Sequence, residues 1–225
     1  MRVVTIDGPA GAGKSTVSRR LAERLGWRML DTGAMYRAIA LAALRAGIDL
    51  HDDTALGALA ARVSVALPPD AVLLDGEDVS REIRTAEVTR ATSAVADQPS
   101  VRRRLVELQR AFAAEFDTVT EGRDQGTVVF PDAFLKLYLT ASPDERARRR
   151  HEEFLARGET LSPAVVARDV AERDARDASR SIAPMKPAED AVIIDTTGLS
   201  LDEVLARVES EVRSRLAPEP AGDAS

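Results

Sequence analysis

One stretch near the amino terminus constrains this chain more than any other. Gly8-Pro9-Ala10-Gly11-Ala12-Gly13-Lys14-Ser15 satisfies the pattern G-x-x-x-x-G-K-[ST] at every fixed position. Ahead of it, Val3-Val4-Thr5-Ile6 reads as a buried strand; behind it, Val17, Leu21 and Leu25 recur at helical spacing and Gly26 is placed to stop the helix. A strand, a glycine-rich loop and a helix in that order make a phosphate site. The glycines let successive backbone N–H groups turn toward an anion without Cβ clashes, and the helix amino terminus adds partial positive charge. The expectation is a nucleoside triphosphate bound along Gly8, Pro9, Ala10, Gly11, Ala12, Gly13, Lys14, Ser15 and Thr16. Lys14 would reach the β- and γ-phosphates, and the Ser15 hydroxyl would ligate Mg²⁺.

Composition narrows the class. A chain of 225 residues, 44% hydrophobic, can bury a full core as one domain with insertions. A net charge of −6 gives no overall attraction to nucleic acid or membranes. The absence of cysteine excludes disulfides, thiolate-ligated zinc and thiol catalysis. With no apolar run of about 18 residues and a strand starting at once, neither a membrane span nor a signal peptide is expected, and the cytoplasm is the expected location. The chain also lacks asparagine. A Ras-type guanine reader and a protein-kinase catalytic loop both need one, which leaves P-loop kinases and ATPases.

Downstream, the patterning is that of an α/β protein. Trp27 to Leu30 reads as a second strand and Met35 to Ala46 as a helix ended by Gly47, with Thr32, Tyr36 and Arg37 clustered at its start. That cluster suits a phosphate-bearing ligand, or simply a capped helix. Thr54 to Arg62 reads as a short helix. Val63–Leu67 and Ala71–Leu74 about Pro68-Pro69-Asp70 read as a hairpin, and Asp75-Gly76 as a further turn before Val79 to Ile83. A helix carrying Val101, Leu105, Leu108 and Phe112 as its core stripe is read from Arg102. Asp117 to Glu121 is the third strand, and Arg123 and Asp124 fall just beyond its carboxyl end, where open α/β sheets bind ligands; an ion pair between the two neighbours is the plainer alternative.

Phe134 to Leu139 and Ala191 to Asp195 complete five strands. Ser142-Pro143-Asp144-Glu145 and Ser200-Leu201-Asp202-Glu203 read as capping boxes, the second opening a helix with Leu201, Val204, Leu205, Val208 and Val212 on one side. The first helix carries Arg146, Arg148, Arg149 and Arg150, which could be a nucleic-acid patch, a solvated face, or a lid closing over a transferring phosphoryl group; the lid fits best, with Arg146 and Arg150 nearest the triphosphate. A second proline-led helix, from Ser162, brings Arg173, Asp177 and Arg180 onto one face at spacings of four and three. His51 and His151 read as surface residues.

Asp31-Thr32-Gly33-Ala34-Met35-Tyr36-Arg37, placed after a P-loop, resembles the bacterial cytidylate kinases of the nucleoside monophosphate kinase family. Leu74-Asp75-Gly76-Glu77-Asp78-Val79-Ser80 with Glu82-Ile83-Arg84-Thr85, Glu121-Gly122-Arg123-Asp124 with Gly126 to Ala133, and Glu172-Arg173-Asp174-x-x-Asp177-x-x-Arg180 extend the likeness in order. Glu121 stands where the family more often has aspartate. The resemblance implies a P-loop kinase: a five-stranded parallel sheet flanked by helices (core 1–31, 106–145 and 185–216), a monophosphate-binding insertion with a small antiparallel sheet (32–105), a helical lid (146–184) and a disordered tail (217–225). It implies ATP, Mg²⁺ and CMP or dCMP as ligands, with no nucleic-acid or membrane partner, and the expected state is a monomer. It further implies Thr32, Tyr36, Arg37, Ser93, Arg102, Arg123, Asp124, Arg173, Asp177 and Arg180 as the acceptor site, and Lys14, Arg123, Arg173 and Arg180 as the catalytic cations. Another small-molecule P-loop kinase and a nucleic-acid-stimulated ATPase are the alternatives.

Overall fold

The computed structural model describes residues 1–69, 71–156 and 158–216. The tail 217–225 and Asp70 of the hairpin turn lie outside them. The central sheet is built from β1 (Val3–Asp7), β2 (Arg28–Asp31), β6 (Thr118–Glu121), β7 (Leu135–Thr140) and β8 (Val192–Asp195), in spatial order β2-β6-β1-β7-β8. Every pairing is parallel, with Thr5 opposite Thr120 and Lys136, and Leu139 opposite Ile194. Parallel strands covered on both faces need apolar side chains on both, and Val4, Ile6, Val119, Leu137 and Leu139 are fully buried.

On one side, α1 (Lys14–Leu25) and α8 (Leu201–Leu216) press Val17, Leu21, Val204, Leu205, Val208 and Val212 onto the sheet. Burying each such leucine or valine is worth about 1.5–3 kcal/mol. Leu201, expected on that stripe, is 40% exposed because the helix has only just begun there. Its capping box is complete: Ser200 N–H donates to the Glu203 carboxylate at 2.8 Å and Glu203 N–H to the serine hydroxyl at 3.3 Å. The box at α6 (Pro143–Ala156) is only half made. Glu145 N–H bonds Ser142 Oγ, but Ser142 N–H goes to Thr197 Oγ1, and Arg148 and Arg149 take the glutamate.

A second core joins α2 (Thr32–Arg45), α3 (Asp53–Arg62), α4 (Ala86–Ala96) and α5 (Pro99–Glu115) through Ile39, Leu56, Ile83, Val95, Val101 and Leu105. α2 begins at Thr32 rather than Met35, because the Asp31 carboxylate accepts the Ala34 N–H at 2.8 Å and caps the helix there. α5 begins at Pro99, so Arg102 sits in its first turn. The antiparallel sheet has three strands of two residues each, β3 (Val65–Ala66), β4 (Leu73–Leu74) and β5 (Glu77–Asp78), and residues 82–84 form a 3₁₀ turn rather than a continuing strand. Nothing in the sequence reading had assigned α4, although Thr85 caps it and Val88, Ala91 and Val95 carry the helical period.

α7 (Pro163–Ser179), capped by Ser162, packs against α6. Arg180 lies one residue past its end with extended backbone. His51 is exposed as expected; His151 is half-buried, its Nε2 3.0 Å from the Leu161 carbonyl, joining α6 to the segment before α7. No described helix is long and apolar enough to cross a membrane.

Candidate active site

At the carboxyl end of β1 the chain turns through Gly8, Gly11 and Gly13, all at positive φ. Two of these have a spatial reason as well. A Cβ on Gly8 would lie 2.0 Å from the Leu139 carbonyl oxygen, and one on Gly11 2.7 Å from the Arg146 carbonyl oxygen. Gly13 precedes α1 without any side-chain cap, so the first N–H groups of that helix are left for a ligand. Lys14 is 5% exposed and its ammonium donates to the Pro9 carbonyl at 2.7 Å. Burial, reinforced by the Arg123 and Arg173 charges, pulls it down to about 7, against the pull of Glu121 and Asp7. Ser15 and Thr16 are exposed at the mouth of a cavity of about 640 Å³.

A cluster of arginines and carboxylates lines the same cavity. Asp177 is the hub: its carboxylate accepts from Arg123 Nε at 2.8 Å and from Arg180 at 2.9 Å. Arg180 also donates to Asp97, on the insertion, at 2.7 Å. Burial alone would raise the Asp177 carboxyl, but Arg123 and Arg180 outweigh it and hold it low. Burial likewise opposes the Arg123 charge, and Asp177 and Glu121 reverse the balance and push the guanidinium up. Arg173, one turn earlier on α7, makes no hydrogen bond or ion pair among the described residues, and burial beside Arg123 brings it down to about 10. A cation held in this way wants an anion.

The remaining expected residues gather around the same space. Thr32 donates from its hydroxyl to the Glu121 carbonyl at 2.7 Å, stitching α2 to β6. Arg37 is steered by Asp31 at 3.5 Å, and its Nε is buried without an acceptor among the described residues. Tyr36 lines the cavity with Arg102 6.0 Å from its ring, and burial pushes its hydroxyl up to about 12, so it stays protonated. Arg102 and Asp124 form a buried ion pair, and Arg102 also donates to the Ala96 carbonyl. Burial raises the Asp124 carboxyl despite that partner. Among the hydroxyls of α4, Thr89 and Thr92 bond their own helix, whereas Ser93 faces the cavity with no partner among the described residues.

The arginines of α6 divide. Arg150 lines the cavity and lies 4.7 Å from the Phe154 ring. Arg149 donates to the Thr196 carbonyl at 2.7 Å, and Arg148 pairs with Glu145 and Glu152 at the surface. Arg146 does not line the cavity at all. It is buried beneath the phosphate loop, bonded to the carbonyls of Ala10 and Ala141 and to Asp174. The expectation of a four-arginine lid therefore applies to one side chain of the four: helical geometry turns Arg148 and Arg149 off the face of Arg150, and Arg146, on that same face, is held beneath the loop by Ala10, Ala141 and Asp174. Several cavity-lining residues had not been singled out as ligands, among them Arg19, Arg84 and Glu153. Arg84 carried a signal, since it lies in the Glu82-Ile83-Arg84-Thr85 segment.

A phosphate-binding loop at the end of a parallel sheet, facing guanidiniums across a cavity large enough for two nucleotide phosphates, defines a P-loop phosphotransferase. A family model described as cytidylate kinase matches residues 4–214. The cytidylate kinase of Pelotomaculum thermopropionicum is 52% identical over 214 residues, covering 93% of this chain and 95% of that protein. The cytidylate kinase of Aeromonas salmonicida is 47% identical over 227 residues, covering 99% and 96%. An uncharacterized protein from Eubacterium ventriosum shares the fold with a TM-score of 0.55 at 11% identity, over 95% of this chain and 99% of that one. The chain belongs to the cytidylate kinase family, and is an ATP-dependent nucleoside monophosphate kinase.

Proposed function

We propose that the chain transfers the γ-phosphoryl group of ATP to the phosphate of CMP or dCMP, giving ADP and CDP or dCDP. The observation that carries the chemistry is that one cavity is lined both by the phosphate loop, through Ala10, Gly11 and Gly13 to Thr16, and by Arg37, Arg123, Arg173 and Arg180. An acceptor phosphate has its second pKa near about 6 and is largely ionised at neutral pH, so no general base is required. None of the cavity-lining residues is a histidine. Catalysis is then positioning and charge neutralisation. Lys14 and the loop N–H groups hold the donor, Arg123 and Arg173 face the transferring group, and Arg180 with Arg37 holds the acceptor. Asp177 fixes the spacing of Arg123 and Arg180. Tyr36, Ser93, Arg102 and Asp124, with Thr32 bracing the wall, form the nucleoside end, where a buried carboxylate and a free hydroxyl suit the amino and carbonyl groups of cytosine. Arg150 closes over the donor.

Magnesium fits the oxygen donors present. Ser15 and Glu121 both line the cavity, and no cluster of three acidic, histidine or cysteine residues among the described residues could cage a bare ion. That is the pattern of a cation that keeps waters and shares the triphosphate oxygens. When bound, it neutralises charge on the β- and γ-phosphates. The proposed working unit is a monomer, and ATP supply supports a cytoplasmic setting. The test is ADP formation from Mg-ATP with CMP, dCMP, UMP, AMP, dTMP and no acceptor in parallel. Turnover confined to CMP and dCMP is expected; rapid turnover with another base alone would discard the cytosine assignment.

A further inference from the structure

Ala10 in the phosphate loop is held through the two peptides that flank it by the two helices behind it. Its N–H donates to Asp174 Oδ1 at 3.2 Å, and its carbonyl accepts from the Arg146 guanidinium at 3.2 Å. Arg146 and Asp174 are themselves paired, closing a ring through the main chain of Ala10, one guanidinium and one carboxylate. The side chains at this clip are mostly buried, 10% exposed for Arg146 and 17% for Asp174. Packing makes the same connection independently: Gly11 sits so close to the α6 backbone at Arg146 that no other residue fits. α6 is in turn fixed to the core over its first turns, by Arg146 to the Ala141 carbonyl and by Arg149 to the Thr196 carbonyl.

A carboxylate that takes the N–H of a loop peptide dictates which way that peptide faces. In a phosphate cradle the peptide orientations are the binding site, since each N–H turned inward meets an oxygen and each turned outward is lost to it. The Ala10 N–H is turned to Asp174, which does not line the cavity. The position of Asp174 in the chain adds a second consequence. It directly follows Arg173, which lines the cavity, and lies three residues before Asp177, the hub of Arg123 and Arg180. One helix therefore grips the donor loop and presents the acceptor-side cations.

We propose that Asp174 and Arg146 are positioning residues for the donor site: they set the two peptides flanking Ala10 and register the phosphate loop against the cations carried by α7. This rests on the reading of the loop as the ATP site. The sequence reading had placed Arg146 on the triphosphate itself; its contacts put it under the loop instead.

The experiment is equilibrium binding and steady-state kinetics of the full chain as Asp174→Ala, Asp174→Asn and Arg146→Ala, with the double variant Asp174→Ala/Arg146→Ala. Calorimetric titration with Mg-ADP and, separately, with CMP reads the two sites apart, and circular dichroism melts report folding. Asp174→Ala should weaken Mg-ADP roughly tenfold and raise KM for ATP, while CMP affinity changes less than about twofold; a tenfold change is about 1.4 kcal/mol. Asp174→Asn keeps an acceptor for the Ala10 N–H and should recover part of the loss. The double variant should be little worse than either single one, because the two side chains are paired and act through one residue, Ala10. Equal weakening of both nucleotides, or Mg-ADP affinity unchanged in a folded Asp174→Ala protein, would overturn the proposal. If Asp174→Ala does not fold, the Asp174→Asn comparison decides, a loss shared equally by both ligands counting against it. Failure of the unaltered protein to bind Mg-ADP would overturn the ATP reading rather than this one.

Discussion

At the scale of single residues, burial sets the chemistry of Lys14. Its ammonium is brought down to about 7 from the ordinary 10.5, because it is buried beside Arg123 and Arg173 before any phosphate arrives. The folded protein thus binds fewer protons than the unfolded chain between about pH 7 and 10.5. The cost is present in full below pH 7 and is relieved as pH rises through that window. Lys14→Met should therefore melt no lower than the unaltered protein near pH 7, and should flatten the gain in melting temperature between pH 7 and 9, while turnover falls by at least about 10²–10³-fold. Arg180→Ala removes a cation from a carboxylate that keeps Arg123 as its partner. A folded protein with turnover lower by about 10²–10³-fold is expected, and near-normal turnover would take Arg180 out of the site. Sequence spacing pointed to Lys14, Arg173, Asp177 and Arg180 because each belongs to a periodic or motif-bound pattern. Asp174 was in plain view beside them, but its function depends on a contact with Ala10, which is 164 residues away along the chain.

At the scale of elements, Asp31 ends β2 and caps α2 at once, and also steers Arg37. Asp31→Ala should cost roughly 1 kcal/mol of stability, the usual value of a lost cap, measured by urea unfolding. It should also raise KM for the acceptor more than KM for ATP, since the freed Arg37 is one of the cations proposed to hold the acceptor. Most helices and all five long strands could be read from their periods and caps. The reading failed where tertiary partners compete for the same groups. Glu145 had the right spacing for a capping box, yet two arginines of its own helix claimed it. α4 is not predicted although Val88, Ala91 and Val95 carry the period, because threonine, serine and alanine fill the positions between them, and its burial against α2 supplies what local propensity does not.

At the scale of the whole molecule, the two cores explain the function. One fixes the sheet and the phosphate loop; the other fixes the insertion that carries Ser93 and Arg102. The Arg180–Asp97 bond ties the end of α7 to the segment between α4 and α5, 83 residues away along the chain, beside the proposed acceptor site. Enclosure that depends on both nucleotides should make ATP hydrolysis without acceptor orders of magnitude slower than phosphoryl transfer to CMP, as read by ADP release in the same assay. The arginine run does not form a free basic face: Arg146, Arg148, Arg149 and Arg150 each meet a carboxylate. DNA or RNA should accordingly leave the rate of ADP release unchanged at low salt.

The sequence by itself determined the phosphate loop, the parallel α/β sheet, the hairpin-bearing insertion and the candidate cations, because these depend on local spacing: glycines where the backbone must turn, apolar residues at strand and helix periods, arginines on one helical face. Only the tertiary structure decided which of those cations meet the cavity and which hold the fold. Arg150 and Arg146 are one helical turn apart and equally charged, yet one faces the ligand space and the other lies under the loop. That difference comes from the close approach of Gly11 and from the carboxylate of Asp174, contacts between segments that no local pattern connects.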